Sequence, residues 1–458
     1  MTSHNLALLL AGASLAPTAL AQAAKSATKE KPNIVIILVD DMGYGDLSCQ
    51  YSSDMRTPNI DKLFETGRRF DYFYSNSNVS SPARAGLLTG RYPQMVGVPG
   101  VIRSNPEASW GYLSHDAVLL PQMLHRAGYT SAMIGKWHLG IESPNLPNDR
   151  GFDLFEGFLG DRMDNYYTHI RQNQNLMRRN REVIETGGTH ATELFTTWAI
   201  DYVKENAPKK EPFFLYLAYN APHDPLEPPK EWEERVRARE PKISKTRGLY
   251  VALIEHLDDN IGRFVAALRS TGQLDNTILI FTSDNGGAHG NQANNGPLRG
   301  YKGDMFEGGI RVPMAVCWNG VTPRGRNSTN LVMMSDLFPT LCEVAGVSVD
   351  HLIDGISVLP LLRGEEQTTD KRYIYWLRRE HGDMGGKSQF AVRYGDNILM
   401  QNRPFEELQL FNLKSDPKEE KPLPLNGEVY GNLRSRMIRH YNHVGAVPWK
   451  KPGVYKAD

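Results

Sequence analysis

"NIVIILVDDMGYGD", residues 33–46, begins as an unbroken β-branched and apolar run and stops abruptly on two aspartates. A strand with one wet face alternates apolar and polar residues. A run without alternation is buried on both faces, as in the centre of a parallel sheet. Asp40 and Asp41 therefore stand where the chain leaves the sheet.

Three further runs behave alike. "TSAMIG" (130–135) ends in Lys136-Trp137-His138, "FFLYLAY" (213–219) ends in "NAPHDP" with His223, and "NTILIFT" (276–282) ends in Ser283-Asp284-Asn285-Gly286-Gly287. Helical patterns lie between them. "YVALIEHLDDNIGRFVAALRSTG" sets Ile254, Leu257, Ile261, Phe264, Val265 and Leu268 on one face and closes at Gly272. "VLLPQMLHRAGYT" and "HATELFTTWAIDYVKENA" are similar. This alternation predicts an α/β fold, a large mostly parallel sheet sandwiched by helices.

Ligands of such sheets bind beyond the carboxyl ends of the strands. Those ends carry Asp40, Asp41, Lys136, His138, His223, Asp284 and Asn285. Singly, each has a plainer reading: an acidic helix cap, a turn, a surface lysine, a half-buried histidine. Jointly, four strand ends furnished this way point to a site.

Composition narrows the partners. A chain of 458 residues has room for a large core and more than one domain. Lys plus Arg equals Asp plus Glu at 52 each, so no global field directs the protein to nucleic acid or an anionic membrane. Any grip on an anion must be local. Cys49, Cys317 and Cys342 are too few for a disulfide framework and lack metal-site spacing. "NLALLLAGASLAPTAL" followed by "ALAQAA" reads as a signal peptide over residues 1–23, although "MTSH" brings no Lys or Arg. The expectation is a secreted or periplasmic protein. No later stretch approaches the roughly 20 apolar residues of a membrane span.

Three aspartates and an asparagine amide, without cysteine, favour Ca²⁺ or Mg²⁺ over Zn²⁺. Arg84, Lys136 and Lys302, the last in "GPLRGYKGDMFEGGIRVP", add fixed positive charge. A dication with such cations suits phosphate or sulfate. The two histidines supply a base and an acid, and Ser80 a nucleophilic hydroxyl. Alone, "SNVSSPARAGLLTGRYP" (77–93) reads equally as a turn or helix start with a solvated Arg84. Together the residues argue for hydrolysis of a phosphate or sulfate ester.

In "NIVIILVDDMGYGDLS", "SSPARAGLLTGR", "GKWHLG", "YNAPHDP", "FTSDNGG", "LRGYKGDMFEGGIRVP" and "LFNLKSDPKEE", in that order, the chain resembles the type I sulfatases of the alkaline-phosphatase superfamily. The resemblance implies that Ser80, in the family's Cys/Ser-x-Pro-Ser/Ala-x-Arg motif, is oxidised by a maturase to formylglycine, whose hydrate attacks sulfur. It implies that Asp40, Asp41, Asp284, Asn285 and the group at position 80 hold Ca²⁺, with Mg²⁺ as the other candidate. It implies that Arg84 and Lys136 steady sulfate, that His138 helps to regenerate the aldehyde, and that His223 and Lys302 serve the leaving group. A phosphomonoester or phosphonate hydrolase on the same scaffold is the alternative, as is a silent sulfoglycan-binding protein if Ser80 stays unoxidised.

"GFLGDRMDNYYTHIRQNQNLMRRNREV" (157–183) has no clean period and reads as a long insertion loop beside the pocket. Its aromatics and amides suit sugars, and Arg162, Arg171, Arg178, Arg179 and Arg181 suit further sulfates on a carrageenan-type galactan or a glycosaminoglycan. From about residue 366, "KRYIYWLRRE", "QFAVRYGDNILM" and "LQLFNLKSDP" read as short strands before the helix "GNLRSRMIRHYNH". The expected organisation is a catalytic domain over 31–365 and a smaller α+β C-terminal domain over 366–458 bearing an antiparallel sheet. In the family that domain closes one side of the pocket, which would turn Trp376, Arg378, Arg379 and His381 towards substrate.

Overall fold

The first strand, β1 (Asn33–Val39), lies near the middle of the molecule and is packed on both faces. Ile34, Ile36 and Leu38 enter one apolar cluster and Val35, Ile37 and Val39 the other; all six are fully buried. At about 1.5–3 kcal/mol for each side chain removed from water, this strand anchors the two halves of the core. The computed structural model describes residues 31–105, 108–380 and 388–453, within the single compact unit Lys31–Asp458. The expected signal segment and His381 lie outside the described residues.

Around β1 the main sheet adds β2 (Arg68–Tyr74), β3 (Thr130–Lys136) and β4 (Leu154–Phe158). Two short strands, β5 (Ile170–Arg171) and β6 (Gln174–Asn175), pair with each other alone. The main sheet is completed by β7 (Met177–Arg179), β8 (Glu182–Val183), β9 (Phe213–Ala218), β10 (Thr277–Ser283), β11 (Met314–Trp318) and β12 (Arg326–Met333). Its order is β12-β2-β11-β10-β1-β9-β3-β4-β7-β8. Only β11 and β7 run against the others, so the sheet is mostly parallel, as the sequence predicts. Because β9 and β10 flank β1 in parallel, the chain leaves three neighbouring strands at one edge. Helices Ala191–Asn206 and Lys245–Ser270 cover one face, and Leu120–Arg126 and Leu337–Ala345 cover the other.

A separate antiparallel sheet follows: β13 (Tyr373–Arg379), β14 (Ser388–Tyr394), β15 (Asn397–Gln401) and β16 (Gln409–Asn412), with helix Gly427–Val444 packed on it through Leu433 and Met437. Two expectations need correction. Residues 157–183 are not an irregular loop: they contribute β7 and β8, which extend the main sheet, and the β5–β6 hairpin. Their alternation is hidden because the strands are two or three residues long. Trp376 does not face an open pocket. It is 1% exposed, donates its indole N–H to the Ser75 carbonyl at 2.8 Å and packs edge-on to Tyr74. Its large apolar ring fills the seam between the two sheets.

Candidate active site

The strand ends do converge. Just past β1, Asp41 adopts a left-handed backbone (φ 70°), and so does His138 (φ 60°) just past β3. That conformation costs a non-glycine residue on the order of 1 kcal/mol or more and persists only where neighbours hold it. For Asp41 they do: Asn285 Nδ2 donates to its Oδ1 (2.8 Å), and Tyr250 donates its hydroxyl to its carbonyl (3.1 Å). The left-handed turn brings Asp41 to the same side as Asp40, where strand geometry would alternate them. Oxygens of Asp40, Asp41 and Asp284 lie within 4.8 Å of one another, and all three residues are fully buried.

Ser80 opens helix Ser80–Thr89, which begins after the extended Val79 and ends at left-handed Gly90; all ten residues are buried. Arg84, one turn on, is 0% exposed rather than solvated. The Ser80 hydroxyl faces Asp40 Oδ1 (3.0 Å) and Asn285 Oδ1 (3.3 Å). Arg84 Nη2 reaches Asp284 Oδ2 (2.9 Å) and Asp40 Oδ1 (3.5 Å), while its Nη1 donates to the Lys136 carbonyl (3.0 Å). Lys136 Nζ contacts Asp40 Oδ2 at 2.5 Å. Lys302 Nζ meets Asp41 Oδ2 at 2.7 Å and His223 Nε2 at 3.1 Å. Of the core residues singled out from the sequence, all but His138 are joined by these contacts.

His138 needs separate treatment. Its Nε2 lies 2.9 Å from the Ile102 carbonyl, which can only accept, so Nε2 carries the hydrogen. The lone pair is then on Nδ1, which is buried and has no partner. Burial first, then the Lys136 and Arg84 charges, hold the imidazole well below its ordinary pKa, and it stays neutral. A buried neutral imidazole with an unused lone pair is a base in waiting.

Three carboxylates face three cations here, and their environments split them. Burial would raise the Asp40 carboxyl, but the charges of Lys136 and Arg84 help to hold it low. Asp284 moves the other way: burial and the adjacent Asp40 charge raise it despite Arg84 and Lys136. Lys302 is held protonated by Asp41 and Asp40 against its burial. Such a set of hard oxygen donors, with two carboxylates repelling each other, fits a divalent cation.

Outside this core, Arg162 pairs with Asp224 (2.6 Å), the residue after His223. Arg171 forks onto Asp161 (2.9 and 3.1 Å) and reaches Asp164 (2.7 Å), so two carboxylates balance its charge. Arg178 spends Nη1 on the nearby carbonyls of Asn175 and Met177. Arg378 is buried and bonded to Glu380. Sequence reading passed over Ile102, Arg103, Asp224 and Glu380, because no motif marks a carbonyl contact 36 residues away or charge pairs made across 62 and 277 residues.

Comparisons with known proteins agree with this geometry. The sulfatase family model matches residues 32–347, and a model described as N-sulphoglucosamine sulphohydrolase, C-terminal, matches 301–444. N-acetylgalactosamine-6-sulfatase of Mus musculus is 34% identical over 89% of this chain and 85% of its own. The uncharacterized sulfatase YdeN of Escherichia coli is 31% identical over 84% of this chain and 77% of its own. A crystal structure of Ps i-CgsB in complex with k-i-k-neocarrahexaose superposes with a TM-score of 0.84 at 31% identity, covering 93% of this chain and 95% of that one. With the family model spanning more than half of its length, the chain belongs to the sulfatase family and is a sulfuric ester hydrolase.

Proposed function

We propose that the protein removes sulfate from a sulfated polysaccharide or its oligosaccharides, a carrageenan-type galactan or a glycosaminoglycan. Two similarities support the substrate class: the murine relative named for N-acetylgalactosamine 6-sulfate and the neighbour solved with neocarrahexaose. The observation that carries the reaction is the buried cluster in which three carboxylates and three cations surround Ser80 beside a neutral His138.

In this reading Asp40, Asp41, Asp284 and Asn285, with the group at position 80, hold Ca²⁺ or Mg²⁺, and a maturase oxidises Ser80 to formylglycine. The cation would supply positive charge to the reacting oxygens and the formylglycine the nucleophile. The chain's own residues do the rest. Asp40 and Asn285 already present acceptor oxygens to the position 80 side chain and orient it. Arg84 and Lys136 lock Asp40 and Asp284 and present charge to the sulfate oxygens. His138 Nδ1 accepts a proton from the group at position 80. Lys302 and His223 hold a proton between Nζ and Nε2, where a leaving oxygen would collect it. The division near residue 366 and export of the mature chain belong to the same reading. Among the described residues no helix is long and apolar enough to cross a membrane.

Mass spectrometry of the Ser80 peptide, from protein made in its native host, tests the proposal together with sulfate release from a panel of sulfated glycans. Loss of two hydrogens at Ser80 with sulfate release is expected. Intact serine, with binding and no turnover, would favour the sulfoglycan-binding alternative.

A further inference from the structure

Beside the carboxylate cluster stands a second charged group. Glu380, 2% exposed, accepts from Arg378 Nε and Nη2 (both 3.2 Å) on Oε1 and from Arg103 Nη1 and Nη2 (both 3.1 Å) on Oε2. Glu380 thus joins two guanidinium groups, and the Asp304 carboxylate also acts on Arg378. Arg378 is only 4% exposed, yet its Nη1 has no acceptor among the described residues. That nitrogen is not sealed off by the protein, so an incoming oxyanion can reach it and supply the missing acceptor.

Both arginines border the candidate active site. Arg103 follows Ile102, whose carbonyl fixes His138. Arg378 stands beside Gly303, which follows Lys302. The space next to its guanidinium is kept open: Gly303 has φ +92°, where side chains are strained, and a Cβ there would lie 3.3 Å from Arg378 Nη1. The clamp is also rigid. Glu380 Oε1 accepts from the Val101 N–H (3.2 Å), and Arg379 N–H donates to the Pro99 carbonyl (2.9 Å). Gly100 permits this crossing, since a Cβ there would stand 2.1 Å from the Arg379 carbonyl oxygen.

We propose that Arg378 and Arg103, held apart and oriented by Glu380, form a second anion subsite that binds another acidic substituent of the glycan whose sulfate is cleaved. A sulfate ester or a uronic carboxylate has the required chemistry, since each offers paired oxygens to a guanidinium fork. The protein then selects multiply charged substrates over singly sulfated ones. This inference rests on the sulfated-glycan reading above.

Binding rather than turnover tests it, using the full chain with unmodified Ser80. The ligands, measured by titration calorimetry, are a galactan disaccharide with one sulfate, the same disaccharide with two, and a glycosaminoglycan disaccharide with one sulfate and one uronic carboxylate. A second anion is expected to tighten binding by about tenfold to a hundredfold, as for a charge-assisted hydrogen bond at a desolvated site. Arg378→Gln should erase that gain. Arg103→Ala, at a side chain 24% exposed and so less demanding of the fold, should erode it. Whichever ligand shows the gain identifies the substituent as sulfate or carboxylate. The inference is overturned if neither doubly charged ligand binds better, if the gain survives both substitutions, or if no disaccharide binds. The sulfatase reading fails separately, when oxidised protein binds a ligand and releases no sulfate from it.

Discussion

Lys302 Nζ sits between Asp41 Oδ2, at 2.7 Å, and His223 Nε2, at 3.1 Å, so one ammonium group bridges a carboxylate and an imidazole. The ammonium donates, which leaves His223 Nε2 as acceptor and puts its hydrogen on Nδ1, 2.8 Å from the Asp224 carbonyl. Lys302→Ala removes the charge and frees the ring. Turnover should fall by about two orders of magnitude with the fold intact, as for a lost charge-stabilising group. Near-normal kcat would remove Lys302 from the reaction.

His138 carries a different prediction, because its lone pair on Nδ1 is otherwise unused. His138→Gln keeps a polar side chain near the Ile102 carbonyl but provides no base. Its kcat should drop by about 10²–10⁴ with little change in melting temperature. An equal loss of stability and activity would instead make His138 a structural residue.

Removal of the proposed cation should be visible in two independent readouts. A group bound only by the folded chain stabilises it, by about 2.7 kcal/mol at a hundredfold excess over Kd. Chelation is therefore expected to lower both sulfate release and melting temperature, with recovery on adding Ca²⁺. Unchanged behaviour after verified metal removal would count against Asp40, Asp41, Asp284 and Asn285 as ligands.

Acid should weaken the fold through two histidines that are not part of the carboxylate cluster. His190 and His256 meet edge-on at 4.6 Å. Burial and His256 push His190 down to about 3, and burial and Arg263 push His256 down to about 4, from 6.5. Between those values the unfolded chain binds the protons and the folded chain does not. Stability from these groups is thus complete above about pH 6.5 and declines as pH falls, through about 4 for His256 and about 3 for His190. His256 alone accounts for on the order of 3 kcal/mol across the window. Melting temperature measured against pH should show this slope, and His256→Gln should flatten it.

Trp376 gives a prediction about stability alone. Trp376→Ala opens a cavity in the seam between the sheets and orphans the Ser75 carbonyl, so a loss of about 3–5 kcal/mol is expected. KM corrected for the folded fraction should stay put; a selective rise would mean that the ring reaches substrate after all.

The parallel strands and the acids at their ends were legible because burial on both faces writes itself as an unbroken apolar run, as at residues 34–39. Ser80, Arg84 and Lys302 were legible because their neighbours form an ordered series of motifs. What stayed hidden is made by contacts without a local pattern. The left-handed turn at Asp41 depends on Asn285 and Tyr250. Glu380 acquires meaning only beside Arg103, 277 positions away. Trp376 shows the limit of inference by region: its place in the sequence suggests a pocket wall, while its indole N–H is committed to the Ser75 carbonyl.

The helix that begins at Ser80 is buried along its whole length, and Ser80 itself is 3% exposed. An enzyme that modified this serine would need access to its side chain. In the finished protein that would mean extracting a helix from the centre of the core. On the proposed reading, oxidation at position 80 would therefore have to precede the burial of residues 77–93. On the same reading, a molecule that folded with serine in place would stay unoxidised, and the ratio of the two forms in a preparation would record a race between modification and folding.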